Sequence, residues 1–243
     1  PVNSRRLGVS LGINLMPNDG KVCSFDCLYC ECGFNADFRP KHKRPTRQEV
    51  KKALTEVLKK RHENHEPLDD ITFAGNGEPT GHPDFKAIVE DTVEVRNQYF
   101  PEAKLSVLSN ATYIYKPEVR EALMLVDNNI LKLDTVDMDY IKKLDRPQQP
   151  HYDVKDVIED LKKFDGHVII QTMFLCGDGM DNTSEQYVAP WLEAVKDIKP
   201  QQVMVYTIDR ETPDKLLEKA SHETLDAIKA RVEALGIKCT ASY

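Results

Sequence analysis

Short apolar runs alternate with amphipathic segments along most of the chain, and this order is typical of strands that are each followed by a helix. The runs are rich in branched residues and nearly continuous in apolar character, as parallel strands covered on both faces are. They predict strands at residues 9–15, 71–74, 105–108, 130–133, 167–175 and 203–206. Apolar stripes at helical spacing predict helices that begin near residues 46, 83, 117, 154, 188 and 221.

Several predicted helix ends carry the residues that such ends prefer. Thr46 and Glu49 have the spacing of a capping box. Proline suits a first helical turn, where no backbone N–H is needed, and glycine suits a helix end. On this basis, Pro83, Pro117 and Pro190 are expected in first turns, and Gly236 is expected to close a last helix over residues 221–235.

Six strand–helix units, joined by right-handed crossovers, predict an α/β fold that is either a doubly wound sheet or a barrel. Six units are too few for a closed eight-fold barrel. The last residues, around Cys239, are expected to add a further edge strand.

Length and composition favour a soluble globular protein. The 243 residues contain no internal repeat or linker-like segment, so we expect one domain over residues 1–243. Hydrophobic residues make up 40% and charged residues 30%, and no apolar run is long enough to span a membrane. We therefore expect a cytoplasmic location. The formal net charge of −7 argues against a dedicated nucleic-acid binder, which would carry a broad basic footprint.

Three cysteines lie close together in a polar loop (residues 16–34, the cysteine loop). Cys23, Cys27 and Cys30 have the spacing C-x3-C-x2-C. Structural zinc sites normally have four protein ligands, and a [4Fe–4S] cluster is usually held by four cysteines. Three cysteines can therefore hold a cluster that keeps one iron open to an outside ligand.

Two other interpretations of these thiols remain. If Cys32 supplied a fourth ligand, the loop could bind zinc and the chain would be a zinc-stabilised binding module, although only one residue separates Cys32 from Cys30. The thiols could also be inert. A disulfide framework is disfavoured, because six cysteines in 243 residues are not a dense scaffold.

A second motif follows the strand predicted at residues 71–74. The segment Gly75–Thr80 reads G-N-G-E-P-T, and as a dinucleotide-binding fingerprint it is weak, because the third glycine position holds Thr80 behind a proline. In α/β barrels the chemistry gathers on loops at the carboxyl ends of strands. The polar or soft residues at or near later strand ends are Ser109, Asn110, Lys132, Asp134, Gln171 and Met173.

Together the two motifs resemble those of the radical S-adenosylmethionine (SAM) enzymes. The cysteine spacing resembles their signature, and Gly75–Glu78 resembles their GGE motif, with Asn76 in place of the middle glycine. The wider likeness is to the subgroup of wyosine-base-synthase-like Fe–S oxidoreductases, whose synthases build a tricyclic guanine in tRNA. The segments that carry it are residues 4–8, 10–14, 75–80, 132–134, 146–147 and 206–210.

The resemblance implies a partial (β/α)6 barrel of the TIM type and a [4Fe–4S] cluster held by Cys23, Cys27 and Cys30. It implies that SAM binds the open iron and is cleaved by one electron to methionine and a 5′-deoxyadenosyl radical, which abstracts hydrogen from a substrate. Backbone groups of Gly75, Asn76, Gly77 and Glu78 would bind the SAM amino group. The other residues expected to line the SAM site are Tyr29 near the adenine, Ser109 or Asn110 at the carboxylate or ribose, Asp134 at the ribose hydroxyls, and Gln171.

The same resemblance implies an external electron donor of the flavodoxin or ferredoxin type. A tRNA base is one expected substrate, and a peptide or small metabolite is the alternative. A basic run follows the cysteine loop and is either a site for RNA or nucleotide phosphates or a solvated loop; it consists of Arg39, Lys41, Lys43, Arg44 and Arg47. Four residues near the expected site receive no role from the sequence: Cys32, Cys176, Arg146 and Arg210.

Overall fold

The computed structural model describes residues 2–4 and 8–243, so positions 5–7 of the motif at residues 4–8 lie outside the described residues. The strands are β1 (Val2–Ser4), β2 (Gly8–Ile13), β3 (Asp70–Phe73), β4 (Lys104–Ser109), β5 (Asn128–Lys132), β6 (Ile169–Met173), β7 (Leu175–Gly177), β8 (Met180–Asp181), β9 (Gln202–Tyr206), β10 (Leu217–Lys219) and β11 (Lys238–Ser242). The helices are α1 (Arg47–Glu63), α2 (Phe85–Tyr99), α3 (Pro117–Leu123), α4 (Met138–Leu144), α5 (Val154–Lys162), α6 (Glu185–Ile198) and α7 (His222–Glu233).

The main sheet has the order β1-β2-β3-β4-β5-β6-β9-β11, in which the seven strands from β2 onward are parallel. Strand β1 pairs antiparallel with β2 at one edge. The predicted edge strand around Cys239 is β11, which pairs parallel with β9. This architecture is a partial barrel of the TIM type, as the sequence predicts, and all parallel strands end at the same rim.

The two faces of the sheet differ in polarity. The outer face is buried by the helices and is apolar, as Ile71, Leu105 and Ile170 show. The inner face is polar near the amino-terminal ends of the parallel strands. There Asp70 accepts hydrogen bonds from neighbouring hydroxyl groups, including that of Ser106. The same sheet therefore packs an apolar core against the helices on its outer face and carries a polar cluster on its inner face.

The predicted long strand at residues 167–175 is wrong, because the chain turns a corner after Met173. Asn182 fixes this corner: its Oδ1 accepts from Leu175 N at 2.9 Å and its Nδ2 donates to Met173 O at 2.7 Å. Beyond the corner, β7 forms a separate three-stranded antiparallel sheet with β8 and β10 at the rim. An apolar run alone does not reveal such a change of sheet.

Some helix boundaries also differ from prediction. Thr46 and Glu49 form the predicted capping box, and Pro117 is the first residue of α3. Pro190, however, lies inside α6, which begins five residues earlier, and Pro83 precedes α2 instead of lying in its first turn. Helix α7 ends at Glu233, before the predicted end at residue 235, and Gly236 takes a φ of 78° just beyond it. Helix α4 was not predicted, because its seven residues are too few to give a clear apolar stripe.

Candidate functional site

The cysteine loop begins three residues after β2 and therefore lies at the rim where the parallel strands end. Its four cysteines are free thiols; Cys27 is buried, and Cys23, Cys30 and Cys32 are half-buried. Among the side chains of residues 8–243, no three His, Cys, Asp or Glu are grouped as a single metal ion would require. A [4Fe–4S] cluster would take its thiolates on separate irons.

Side-chain hydrogen bonds fix the backbone of the cysteine loop. Asn35, just beyond the loop, donates from Nδ2 to the carbonyl groups of Cys23 and Phe25 and accepts from Cys23 N at 3.1 Å. Helix α4 and the residues after it hold the same loop, because Asp26 N donates to Asp145 O at 2.9 Å. The end of α4, which the sequence did not predict, thus positions the cysteine loop through its backbone carbonyl groups.

A buried lysine lies under the cysteines. The ammonium group of Lys21 donates to Gly33 O at 2.5 Å and lies 3.4 Å from Asp26 Oδ1. Burial alone would lower the pKa of Lys21, but the neighbouring thiols, Cys30 first among them, outweigh burial and raise it. A fixed positive charge at this position favours thiolates, the form in which cysteine binds metal.

The thiols differ in how readily they ionise. A hydrogen bond with Cys32, aided by Lys21, lowers the pKa of Cys30 to about 5. Burial raises the pKa of Cys23 to about 11 and that of Cys27 well above its ordinary value. The pKa of Cys32 is raised, chiefly by the same hydrogen bond. The Cys32 thiol itself lies 3.8 Å from Gly75 O, against the glycine segment.

Lys132 brings a second buried charge to the cysteines. Its side chain is 12% exposed, and its Nζ lies 3.0 Å from Cys27 Sγ, 2.6 Å from Asp145 Oδ1 and 3.2 Å from Asp134 Oδ2. Burial alone would lower its pKa, but the two carboxylates and Cys27 raise it well above its ordinary value. The ammonium group therefore stays charged beside a predicted ligand.

The Gly75–Glu78 segment packs directly on the cysteine loop. Val22 N donates to Asn76 O, and Glu78 N donates to Val22 O, both at 3.1 Å. A Cβ atom on Gly77 would lie 1.9 Å from Val22 O. Gly75 has a φ of 148°, and a Cβ there would lie 2.4 Å from the Asn14 side chain. Both glycines are thus required by close packing, and two of the backbone groups predicted to bind SAM already have protein partners.

The polar side chains of this segment also have structural partners. Asn76 donates to the carbonyl groups of Pro17 and Gly20, which ties down the start of the cysteine loop. Glu78 is 3% exposed, and its carboxylate accepts from Thr80 N at 3.0 Å and from Asn110 N at 2.7 Å. Burial raises the pKa of Glu78. The Glu78 carboxylate therefore joins the ends of two neighbouring strands.

The residues at the end of β4 lie between this carboxylate and the cysteines. Ser109 donates to Glu78 Oε1 at 2.7 Å. Asn110 Nδ2 lies 3.5 Å from Cys23 Sγ and donates to Ser24 Oγ at 2.9 Å. The structure thus brings Ser109 and Asn110 together with the cysteine loop, with Asn110 the nearer to a thiol.

On the other side of the site, Asp134 is committed to protein contacts. Its Oδ2 accepts from the hydroxyl of Tyr29, and its Oδ1 accepts from Met173 N at 2.9 Å. Burial raises the pKa of Tyr29 well above its ordinary value. Gln171 is half-buried and pairs in register with Lys132, so both side chains lie on the inner face. These predicted residues converge around Lys132.

Sequence reasoning missed three residues of this arrangement: Lys21, Asn35 and Asp145. Lys21 is a lone cation two residues before the first cysteine, and Asp145 directly precedes residues 146–147, one of the segments that carry the family resemblance. Those positions were the available signals. Neither signal reveals burial, which is what gives these charges their effect on the thiols.

The residues without a predicted role lie around the rim. Arg146 places its guanidinium 4.8 Å above the ring of Phe34 and 3.8 Å from Asp26 Oδ2. Arg210 pairs with Glu31 at 2.9 Å on the surface. Cys176 lies in β7, in the small sheet, where its Sγ is 3.8 Å from Lys219 O.

The cations of the basic run at residues 39–47 fall into two groups, those bound to protein partners and those exposed on the surface. Arg44 donates to Gly81 O at 2.7 Å, and Arg47 forms a two-bond ion pair with Asp91 at 2.6 and 2.9 Å. The other three cations, Arg39, Lys41 and Lys43, are exposed. In the part of the chain that the structure describes, no helix has the length and apolar character to cross a membrane.

Comparison with known proteins identifies relatives along the whole chain. A family model described as the radical SAM superfamily matches residues 18–187. A protein named GTPase Obg from Brachyspira hyodysenteriae is 31% identical over 237 residues, which are 96% of this chain and 33% of that protein. The UPF0026 protein slr1464 from Synechocystis sp. is 31% identical over 219 residues, which are 88% of this chain and 76% of the relative.

Solved structures share the fold at low identity. SuiB from Streptococcus suis, bound to S-adenosylmethionine, superposes with a TM-score of 0.66 at 16% identity and covers 97% of this chain and 51% of its own. TYW1 with a lysine–pyruvate adduct bound gives a TM-score of 0.60 at 12% identity, with 94% and 71% covered. The chain thus spans a third of the Brachyspira protein and about half of SuiB. Because the family model matches well over half of the sequence, the chain belongs to the radical SAM superfamily.

Proposed function

We propose that residues 1–243 form a single-domain radical SAM enzyme in which Cys23, Cys27 and Cys30 hold a [4Fe–4S] cluster and SAM binds the open iron. Membership of the superfamily implies an enzyme that uses an iron–sulfur cluster and SAM. The observation that carries the finer assignment is the placement of three thiols at the rim beside two buried ammonium groups, with Lys132 Nζ 3.0 Å from Cys27 Sγ.

The bound cofactors would supply a 5′-deoxyadenosyl radical that abstracts hydrogen from the substrate. The chain itself supplies charge and position. Lys21 and Lys132 offset the negative charge of thiolates, and Asn35 and α4 hold the loop in one conformation. Glu78 fixes the ends of β3 and β4, which leaves the rim rigid where SAM would lie. A rigid site holds reactants in one geometry and limits side reactions.

Within this proposal the SAM contacts divide into two groups. Gln171 lies on the inner face, and among the described residues no side-chain hydrogen bond involves it. The side chains of Asn110, Asp134 and Glu78 already have protein partners. The SAM amino group would therefore approach backbone carbonyl groups of Gly75 and Gly77. Asp134 would reach a ribose hydroxyl only after giving up its hydrogen bond with Tyr29.

Anaerobic reconstitution tests the ligand assignment. The wild-type protein should bind iron and sulfide, and Ala substitution of Cys23, Cys27 or Cys30 should remove most of both. Cys32→Ala is the matched control and should keep them, because the proposal assigns the cluster to the other three cysteines alone. Binding of zinc alone, lost in Cys32→Ala and kept in Cys23→Ala, would contradict the assignment. Reduced enzyme should then convert SAM to 5′-deoxyadenosine and methionine.

For the substrate we propose an RNA base, from the likeness to wyosine-base synthases; TYW1 shares the fold. A peptide is the second candidate, because SuiB also binds a precursor peptide, SuiA. The structure of that complex superposes on this chain with a TM-score of 0.68. Retention of tRNA at low salt and transfer of deuterium from tRNA to 5′-deoxyadenosine would support the first. Deuterium transfer only from a peptide or metabolite fraction would contradict it.

A further inference from the structure

A short exposed loop next to the cysteine loop carries three cations and one aromatic ring. We call residues 38–43 the basic loop. Arg39, Lys41 and Lys43 are exposed, and Phe38 is 52% exposed although it is one of the larger apolar side chains. The basic loop therefore combines an exposed ring with three cations, on a chain whose net charge is −7.

The basic loop is fixed to the cysteine loop by backbone contacts. Lys21 N donates to Phe38 O at 2.6 Å. Gly20 packs so closely that a Cβ atom would lie 2.4 Å from Phe38 O and 2.5 Å from Pro40 N. Lys41 N donates to Asp19 Oδ2 at 2.9 Å. The cations are therefore held on a rigid segment that is bonded to the chain two residues before the first predicted ligand.

The balance of charge on this surface stays positive. Asp37 and Asp19 are the nearby acids; the Asp19 carboxylate is oriented towards the backbone N–H groups of Lys41 and His42. Among the described residues, no ion pair involves the side chains of Arg39, Lys41 or Lys43. The loop thus presents cations that its own protein does not neutralise.

We propose that the basic loop is the docking surface for an acidic electron-transfer protein of the flavodoxin class. The inference rests on the proposed function, which needs one electron from outside the chain. In the docked complex one electron passes from the partner's reduced flavin to the cluster. The flavin is oxidised by one electron, the cluster is reduced by one electron, and no bond forms or breaks.

The chemistry of the surface favours this occupant over RNA. Electron-transfer complexes are small and transient, and charge complementarity speeds their formation. Three cations around one exposed ring, beside the predicted cluster, match that description. RNA binding draws on many phosphate contacts over a broad basic surface, and here Arg44 and Arg47 are already committed to Gly81 and Asp91.

Charge reversal of the basic loop tests the docking surface. The test protein is the reconstituted full chain with Arg39, Lys41 and Lys43 each changed to Glu. The control carries the same change of charge at exposed lysines of α1 and α6, namely Lys52, Lys59 and Lys196. Stopped-flow absorbance follows cluster reduction by a fully reduced bacterial flavodoxin, and by dithionite in parallel.

The loop variant should be reduced by flavodoxin at least about tenfold more slowly than wild type at low ionic strength, since electrostatic steering contributes roughly 10- to 1000-fold to association rates. The gap should shrink as salt screens the charges. Dithionite, a small anion with no docking surface, should reduce all three proteins to the same extent, and the loop variant should be slowed less with dithionite than with flavodoxin.

Three results would overturn the inference. One is a loop variant that flavodoxin reduces at the wild-type rate. Another is a variant that keeps flavodoxin reduction but loses low-salt tRNA binding, which would assign the loop to RNA. If wild type accepts no electron from dithionite either, the proposed function fails and the inference falls with it; that result is distinct from the first, in which dithionite works.

Discussion

The carboxylate of Glu78 offers the sharpest test of how the site is held together. It is buried, and four donors surround it: Thr80 N at 3.0 Å, the Thr80 hydroxyl at 2.5 Å, the Ser109 hydroxyl at 2.7 Å and Asn110 N at 2.7 Å. Glu78→Gln keeps the shape but replaces one oxygen with an NH2 group. Hydroxyls can rotate to accept from that group, whereas backbone N–H groups cannot.

In either orientation, the side-chain amide introduced by Glu78→Gln would face a fixed backbone donor, either Thr80 N–H or Asn110 N–H. A buried donor left without an acceptor costs about 1–3 kcal/mol. Removing a buried charge offsets part of the loss of charge-assisted bonds, so we expect the unsatisfied donor to set the net effect. For a chain of this length, the free-energy change corresponds to a fall in Tm of roughly 3–9 °C.

Urea unfolding of the anaerobic apoprotein measures this change, and the wild-type and variant slopes should agree. Glu56→Gln is the matched control: Glu56 is exposed on α1, and we expect its replacement to change stability by less than about 0.5 kcal/mol. If Glu78→Gln behaves like Glu56→Gln, the carboxylate does not hold the two strand ends together, and the reasoning is refuted.

Three further substitutions probe other contacts. Lys132→Met should lower the free energy of unfolding by about 3–5 kcal/mol, because it leaves buried carboxylates without a counter-charge. Lys132→Arg keeps the charge and should retain most of the wild-type stability. An equal loss of stability in both variants would show that side-chain shape matters and charge does not. Gly77→Ala should lower the free energy of unfolding by about 1–3 kcal/mol through overpacking. Gly12→Ala is the control and should be nearly neutral in the same urea assay, because no atom lies within 4 Å of the added Cβ. Equal effects of the two substitutions would contradict the packing argument. Asp91→Asn should cost about 1 kcal/mol at neutral pH. The hydrogen bond with Arg47 lowers the pKa of Asp91 below 3.8, so this contribution is present above 3.8 and lost as pH falls through the folded-state pKa. Unfolding at neutral pH and below 3.8 checks this, and a difference that grows on acidification would be inconsistent with it.

The repeating units of the barrel could be predicted because each parallel strand is buried on its outer face and each helix shows an apolar stripe. The corner at Met173 could not, because it depends on Asn182, nine residues further along the chain. Pro190 was misplaced for a different reason. Proline favours a first turn on average, but tertiary packing of α6 around the buried Trp191 and Val195 places it within the helix.

The cysteine loop and the glycine segment were recognisable because their spacing along the chain is itself the signal. The charges that act on them were not recognisable. Lys21 is near the cysteines in sequence, yet an isolated lysine is usually exposed. Side-chain alternation along β5 turns Lys132 to the inner face, but its contact with Cys27 depends on where β5 and the distant cysteine loop meet. The alternation of side chains along a strand predicts the face of the sheet on which a residue lies, whereas its contacts depend on the three-dimensional fold.

The resemblance of Gly75–Glu78 to a ligand-binding motif and the packing of the same residues on Val22 are two explanations for one pair of glycines. Packing alone accounts for the missing Cβ atoms, since one would lie 1.9 Å from Val22 O. The ligand role must therefore rest on groups that packing leaves over, chiefly carbonyl oxygens with a second lone pair. Those oxygens are fixed in place because the segment is bonded to the loop that carries the cysteines. The packing thus aligns two halves of one site, so a substitution that loosens it should weaken cluster retention and SAM binding together.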